Sequence, residues 1–216
     1  MRNDRRDEDE LPLGRLEAFS DGVFAIAITL LVLELSVSAT AHGDLGAAIL
    51  AEWPGYLAYL TSFMTIGVMW LRHSAVTGML RTGDSILFRI NLVVLLLASF
   101  LPFPTKLIGE FISVREAEQV AVLFYGVVLL VLDLAMVAFA RYGIEGRRLV
   151  REGVPEEHLR SSIAPVSLAF YGVAIPVGYL FPAIGVGLYL VIALYLGVPA
   201  RTIHRVLRGR RAEPRT

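Results

Sequence analysis

Apolar runs of about 18 residues or more recur along this chain, each closed by a charged or Gly/Pro-rich break. A helix crossing roughly 30 Å of hydrocarbon needs about 20 such residues. In lipid the backbone must satisfy its own hydrogen bonds, so the runs read as helical membrane spans. The 216 residues are 56% hydrophobic with a mean hydropathy of +0.63. That exceeds the apolar share usual in soluble domains.

The runs fall at 13–36, 47–71, 86–108, 118–140, 161–181 and 183–204, which predicts an all-α integral membrane protein of six transmembrane helices. Only the Phe181-Pro182 turn separates the last two, as in a tight hairpin. Counting Lys and Arg by side tests the alternation. The N-terminal segment, the second-to-third loop, the fourth-to-fifth loop and the C-terminal tail hold all of them except Lys106 and Arg115. The positive-inside rule then places both termini in the cytoplasm, in a multi-pass protein of the cell membrane. The expected organisation is an acidic cytoplasmic tail over 1–12, a membrane domain over 13–206 and a basic tail over 207–216. The opening MRNDRRDEDE is too acidic for a secretory signal. The basic tail reads as an orientation signal, with contact to anionic lipid as the alternative.

Net charge is zero, so it selects no partner class, and nothing points to nucleic acid. There is no cysteine, which excludes disulfides and thiolate metal sites. No H-E-x-x-H, G-x-S-x-G or phosphate-loop pattern occurs. The histidines His42, His73, His158 and His204 are scattered over loops and span ends. No enzyme, metal site or cofactor is expected.

The first span, within RLEAFSDGVFAIAITLLVLEL, carries an acid, Asp21, near its start and a threonine, Thr29, in its apolar part. Were Ser20-Asp21 the N-cap, the helix from Gly22 to Leu35 would cover only about 21 Å, too short to cross. A start near Pro12-Leu13 gives a full crossing and puts Asp21 about two turns inside. An acid at that depth costs a few kcal/mol unless it is paired or reaches water. On a wheel of 100° per residue, Phe19, Gly22, Thr29, Leu30, Leu33 and Val37 lie within about 60° of Ile26, and Asp21 about 140° away. Asp21 is therefore expected to face protein or a wet cavity on the side of the neighbouring helices, with Trp70, His73, Arg89 and Asn91 as candidate partners. By itself the stripe reads as a lipid-facing or packing surface. Thr29 has a local option too, bonding a carbonyl one turn back.

This stretch resembles the signature of the transmembrane protein 175 family, which includes prokaryotic and lysosomal potassium channels. Arg15, Phe19, Ser20, Asp21 and Gly22 match its R-x-x-x-F-S-D-G core, with echoes at Trp70, His73, Asn91 and Leu101–Thr105. The likeness is good through about residue 106 and weak beyond. The resemblance implies a six-helix subunit assembled as a homotetramer, with potassium ions as the permeant species. It implies a pore lined by the first helix, with a hydrophobic constriction in place of a carbonyl filter. On this sequence the constriction falls at Ile26, with Leu30 and Leu33 one and two turns outward and Thr29 as an adjoining polar layer. The Phe19-Ser20-Asp21 motif would hold the helices together at the cytoplasmic end. Glu34, about 80° off the stripe, is a candidate for attracting cations at the outer mouth, with a packing role or its own ion pair as the alternative.

The rival reading is a proton-coupled or secondary transporter using Asp21 and His73 as a relay, since ionisable groups within spans mark such paths. Transporters tend to show internal repeats and broken helices at mid-depth. No clear repeat is visible, and Pro165 and Pro176 are the strong interruption. IGVGLY, Ile184 to Tyr189, looks like a carbonyl filter, but it opens a span directly and its small residues more simply allow close helix packing.

Overall fold

The computed structural model describes residues 11–35, 44–111, 115–156, 159 and 166–197. Its described residues form an all-α bundle with three stretches long and apolar enough to cross a membrane: Leu13–Glu34, Ser85–Phe111 and Glu116–Ile144. Helix α1 runs from Leu13 to Leu30 and tightens into a 3-10 turn over Leu31–Glu34. Pro12 precedes it in extended conformation, so the helix starts where the span length requires.

The expected second span is two helices. The short α2, Leu45–Ala51, is capped by the Asp44 carboxylate, which accepts from the Ala47 amide at 3.0 Å. The long α3, Trp53–Met79, begins after a turn at Glu52. Pro54 explains the break, because it has no amide proton to bond the Leu50 carbonyl and its ring crowds that carbonyl. Helix α3 also continues well past residue 71, carrying Arg72 and His73 inside it. Its Thr61, Ser62 and Thr65 are buried.

The third run divides likewise into α4, Ser85–Phe100, and α5, Pro102–Phe111. Pro102 ends the first hydrogen-bond ladder, and the chain resumes helical geometry beyond it. Asp84 caps α4, its carboxylate accepting from the Leu87 amide at 2.9 Å. The other carboxylate oxygen accepts from the Tyr142 hydroxyl at 2.7 Å and from Arg148. Helix α6, Arg115–Ile144, is the longest, and Glu116 and Glu118 favour its N-terminus.

Helices α7, Val166–Leu180, and α8, Pro182–Gly197, make the expected hairpin, turning at Phe181. They approach so closely that a Cβ on Gly185 would lie 2.3 Å from the Gly178 Cα. The filter-like IGVGLY segment is thus helical, and its Gly185 serves packing. Residues 161–165 and 198–204 of the expected last two spans lie outside the described residues, as do both tails except Leu11 and Pro12.

Helix α3 is the hub of the bundle, packing on α1, α5, α6 and α8, while α6 holds α4, α5 and α7. On the side opposite the expected outer face, the α3–α4 loop is pinned from two directions. Leu11 and Gly83 exchange backbone bonds at 2.8 and 3.0 Å, and the Arg81 amide donates to Leu149 at 2.7 Å. Many large apolar side chains remain exposed around the bundle, among them Leu96, Val120, Val173 and Val191. Apolar surface of that extent marks a protein that meets lipid or other subunits.

Candidate functional site

The two faces of α1 differ sharply. Toward the bundle, Phe24 is 3% exposed and Leu31 is fully buried, with Leu13, Leu16 and Ala27 beside them. On the opposite side Ile26 is 60% exposed and Leu33 72%, with Phe19, Gly22, Thr29 and Leu30 also exposed. The stripe drawn on the wheel is therefore the face that the subunit leaves bare. Val37 lies outside the described residues. A Cβ at Gly22 would meet nothing within 4 Å, so packing within the subunit does not require a glycine there. The Thr29 hydroxyl donates to the Ile26 carbonyl at 2.9 Å. Its proton is thereby engaged within the helix, leaving oxygen lone pairs for an outside partner. Glu34 is half-buried in the 3-10 turn.

The inner end of α1 is held by two separate polar contacts. Trp70 Nε1 donates to Asp21 Oδ1 at 2.8 Å. Asn91 Nδ2 donates to Ser20 Oγ at 3.0 Å, and Asn91 Oδ1 lies 2.7 Å from His73 Nε2. Ser20, His73 and Asn91 are all buried. The His73 ring stacks on Phe139 of α6 at 4.9 Å and meets the Phe24 edge at 5.6 Å.

Asp21 bonds to Trp70, one of its expected partners, but in the single subunit it is exposed rather than buried, and Ser20 is the motif residue that goes inside. A helical wheel gives direction, and Asp21 does point away from the stripe, but its hydrogen-bond partner there, Trp70, is itself exposed. His73 and Asn91 bond to Ser20's side of the motif rather than to Asp21, and Arg89 is exposed. Among the described residues no direct hydrogen bond joins Asp21 to His73. Arg15 is exposed and lines an open groove with Phe19, Phe88 and Leu92.

A second intramembrane acid was missed by sequence reasoning. Asp133 of α6 is fully buried and pairs with Arg72 of α3, N–O 2.5 Å, while Ser167 of α7 donates to its other oxygen. The signal was available: Asp133 interrupts the 118–140 run, and the logic applied to Asp21 applies to it equally. A third buried cluster joins Ser62, Thr105 and Tyr125 through hydroxyl contacts of 2.6 and 2.8 Å. Among the described residues no group of three or more His, Asp or Glu is arranged to hold a metal. His42, His158 and His204 lie outside them.

Comparison with known proteins bears on this arrangement. The family model described as "Endosomal/lysosomal potassium channel TMEM175" matches residues 15–102. A potassium channel of Streptomyces collinus is 36% identical over 187 residues, spanning 85% of this chain and 91% of that protein. The crystal structure of a lysosomal potassium-selective channel TMEM175 homolog from Chamaesiphon minutus superposes with a TM-score of 0.74 at 34% identity. It covers 85% of this chain and 95% of that one. A shorter match, 34% identical over 117 residues, is to the endosomal/lysosomal proton channel TMEM175 of Gallus gallus, 23% of whose length is covered.

Proposed function

This chain belongs to the TMEM175 potassium-channel family, a family of multi-pass membrane channels and not of enzymes, and from that membership we propose that it conducts potassium across the cell membrane. The pore is lined by α1 from several copies of the chain, assembled as a homotetramer. Each subunit contributes six spans, with both termini cytoplasmic. Ile26 forms the constriction, and Leu30 and Leu33 form apolar rings outward of it. Thr29 supplies a polar layer. Arg15, Phe19, Ser20, Asp21 and Gly22 hold the inner ends of the helices in register.

One observation carries this reading: α1 seals one face against its own bundle and leaves bare a face that contains Gly22 and Thr29 as well as Ile26 and Leu33. Packing inside the subunit makes no use of the open lone pairs of the Thr29 oxygen or of the uncrowded Gly22. A ring of helices around water does. Rings of branched aliphatic side chains close a pore by expelling water, and a small widening rehydrates them. Thr29 oxygens beside such a ring offer ligands to a cation that has shed part of its water. No carbonyl filter is needed for conduction of this kind, and selectivity then rests on how tightly the ring fits a partly dehydrated ion.

The test is reconstitution into planar bilayers with potassium on one side and sodium on the other. Discrete current steps with a reversal potential displaced toward potassium are expected. Flux that saturates and requires a counter-ion gradient would favour a transporter instead.

A further inference from the structure

Arg72 and Asp133 take no direct part in the pore, yet their pairing sits on the turn of α3 that grips α1. Trp70 and His73, within that same turn, make the contacts to Asp21 and to the Asn91–Ser20 pair. Arg72 projects to the other side, onto Asp133 of α6, whose second oxygen accepts from Ser167 of α7. His73 also stacks on Phe139, about 9 Å farther along α6 than Asp133. One turn of α3 is therefore held by α6 at two heights on one side and holds the pore helix on the other.

We propose that Arg72 and Asp133 are positioning residues for the pore: their ion pair fixes the Trp70–His73 turn against the outer helices, and that turn sets the radius at which α1 presents Ile26. This inference rests on the pore reading above. Stability alone is a poor reason for such a pair. Asp133 is fully buried and the Arg72 side chain only 19% exposed, so both ions give up most of their water. Well-packed apolar residues in their place are often as stable or more so. What the apolar replacement lacks is direction. A salt bridge completed by a serine hydroxyl admits one axial register of α3 against α6, whereas aliphatic side chains slide. With the anchor loosened, the bare apolar rings of α1 close on one another, because contact removes their surface from water.

The experiment compares the full-length wild type with the double variant Arg72→Met/Asp133→Leu in planar bilayers, with assembly and thermal midpoint measured on the same preparations. The expected double variant assembles with an unchanged or raised midpoint and shows open probability lower by about twofold to thirtyfold, the range of coupling through packed networks. Wild-type open probability in the assembled double variant overturns the proposal. If that variant does not fold, Asp133→Asn decides, since it keeps the shape and removes the charge. Lowered open probability in an assembled Asp133→Asn protein sustains the proposal; wild-type open probability or failure to assemble overturns it. Ile26→Asn, recorded alongside, separates the two claims. If Ile26→Asn changes selectivity and the ion-pair variants change nothing, only the positioning role fails; if Ile26→Asn also changes nothing, the pore reading fails.

Discussion

Helix α1 carries Arg15, Glu17 and Asp21, whereas α7 and α8 carry no charged residue, and the two regions are held in the protein by different means. The hairpin is secured by close approach: Gly178 against Gly185, Gly126 against the Tyr189 ring, and fully buried Tyr171 and Tyr189. Helix α1 is secured near its N-terminus by side-chain hydrogen bonds that Ser20 accepts from Asn91 and Asp21 from Trp70, and farther along by Phe24, Ala27 and Leu31 on one face only. Close packing fills space and tolerates no bulk, whereas polar bonds fix register and leave the far side of a helix free. The hairpin is built as scaffold, and α1 is built to be aimed.

That contrast can be broken by substitution. The largest effect is expected at Gly185→Val, because its Cβ would fall 2.3 Å from the Gly178 Cα. Overpacking of this severity costs about 3 kcal/mol or more, and the yield of monodisperse protein should collapse. Next comes His73→Ala, which removes the ring stacked on Phe139 and strips Asn91 of a buried partner. The lost packing and the unpaired amide together cost about 3 kcal/mol, readable as a lowered thermal midpoint in an otherwise assembled protein. Asp21→Ala should cost the isolated subunit less, about 1 kcal/mol, since Asp21 and its partner Trp70 are both exposed there. A much larger loss on assembly than in the subunit would show that neighbouring copies cover Asp21.

The smallest effect concerns acid stability. Burial by itself raises the Asp84 pKa, but the Leu87 amide, the Tyr142 hydroxyl and the Arg148 guanidinium outweigh it and hold the carboxyl below its usual range. A carboxylate depressed in this way contributes stability above its unfolded pKa, and that contribution is lost as pH falls through the folded value. The stability gap between wild type and Asp84→Asn should therefore persist near neutrality and narrow below about pH 4. A gap that stays constant through acid would remove the charge from the role assigned to Asp84.

Much of this was legible in the residues, and the misses have physical causes. That Gly22, Ile26 and Leu33 share one face of α1 follows from a period of 3.6, which needs no tertiary information; that the face is bare does not. The breaks at Glu52 and Leu101 were announced by Pro54 and Pro102, yet hydropathy alone runs straight through them. Asp133 escaped because charges were counted by loop, which says nothing of an acid whose partner lies on another helix. The exposure of Asp21 was invisible for a different reason. A wheel tells which way a side chain points, but only the placement of α3 tells how much stands in front of it.

If the bare face of α1 surrounds the ion path, Ile26→Asn must change what passes along it. In bilayers with potassium opposed to sodium, the variant is expected to assemble normally and its reversal potential to move toward zero as a wetter ring loses discrimination. A folded, assembled variant with the wild-type reversal potential and conductance would contradict that placement.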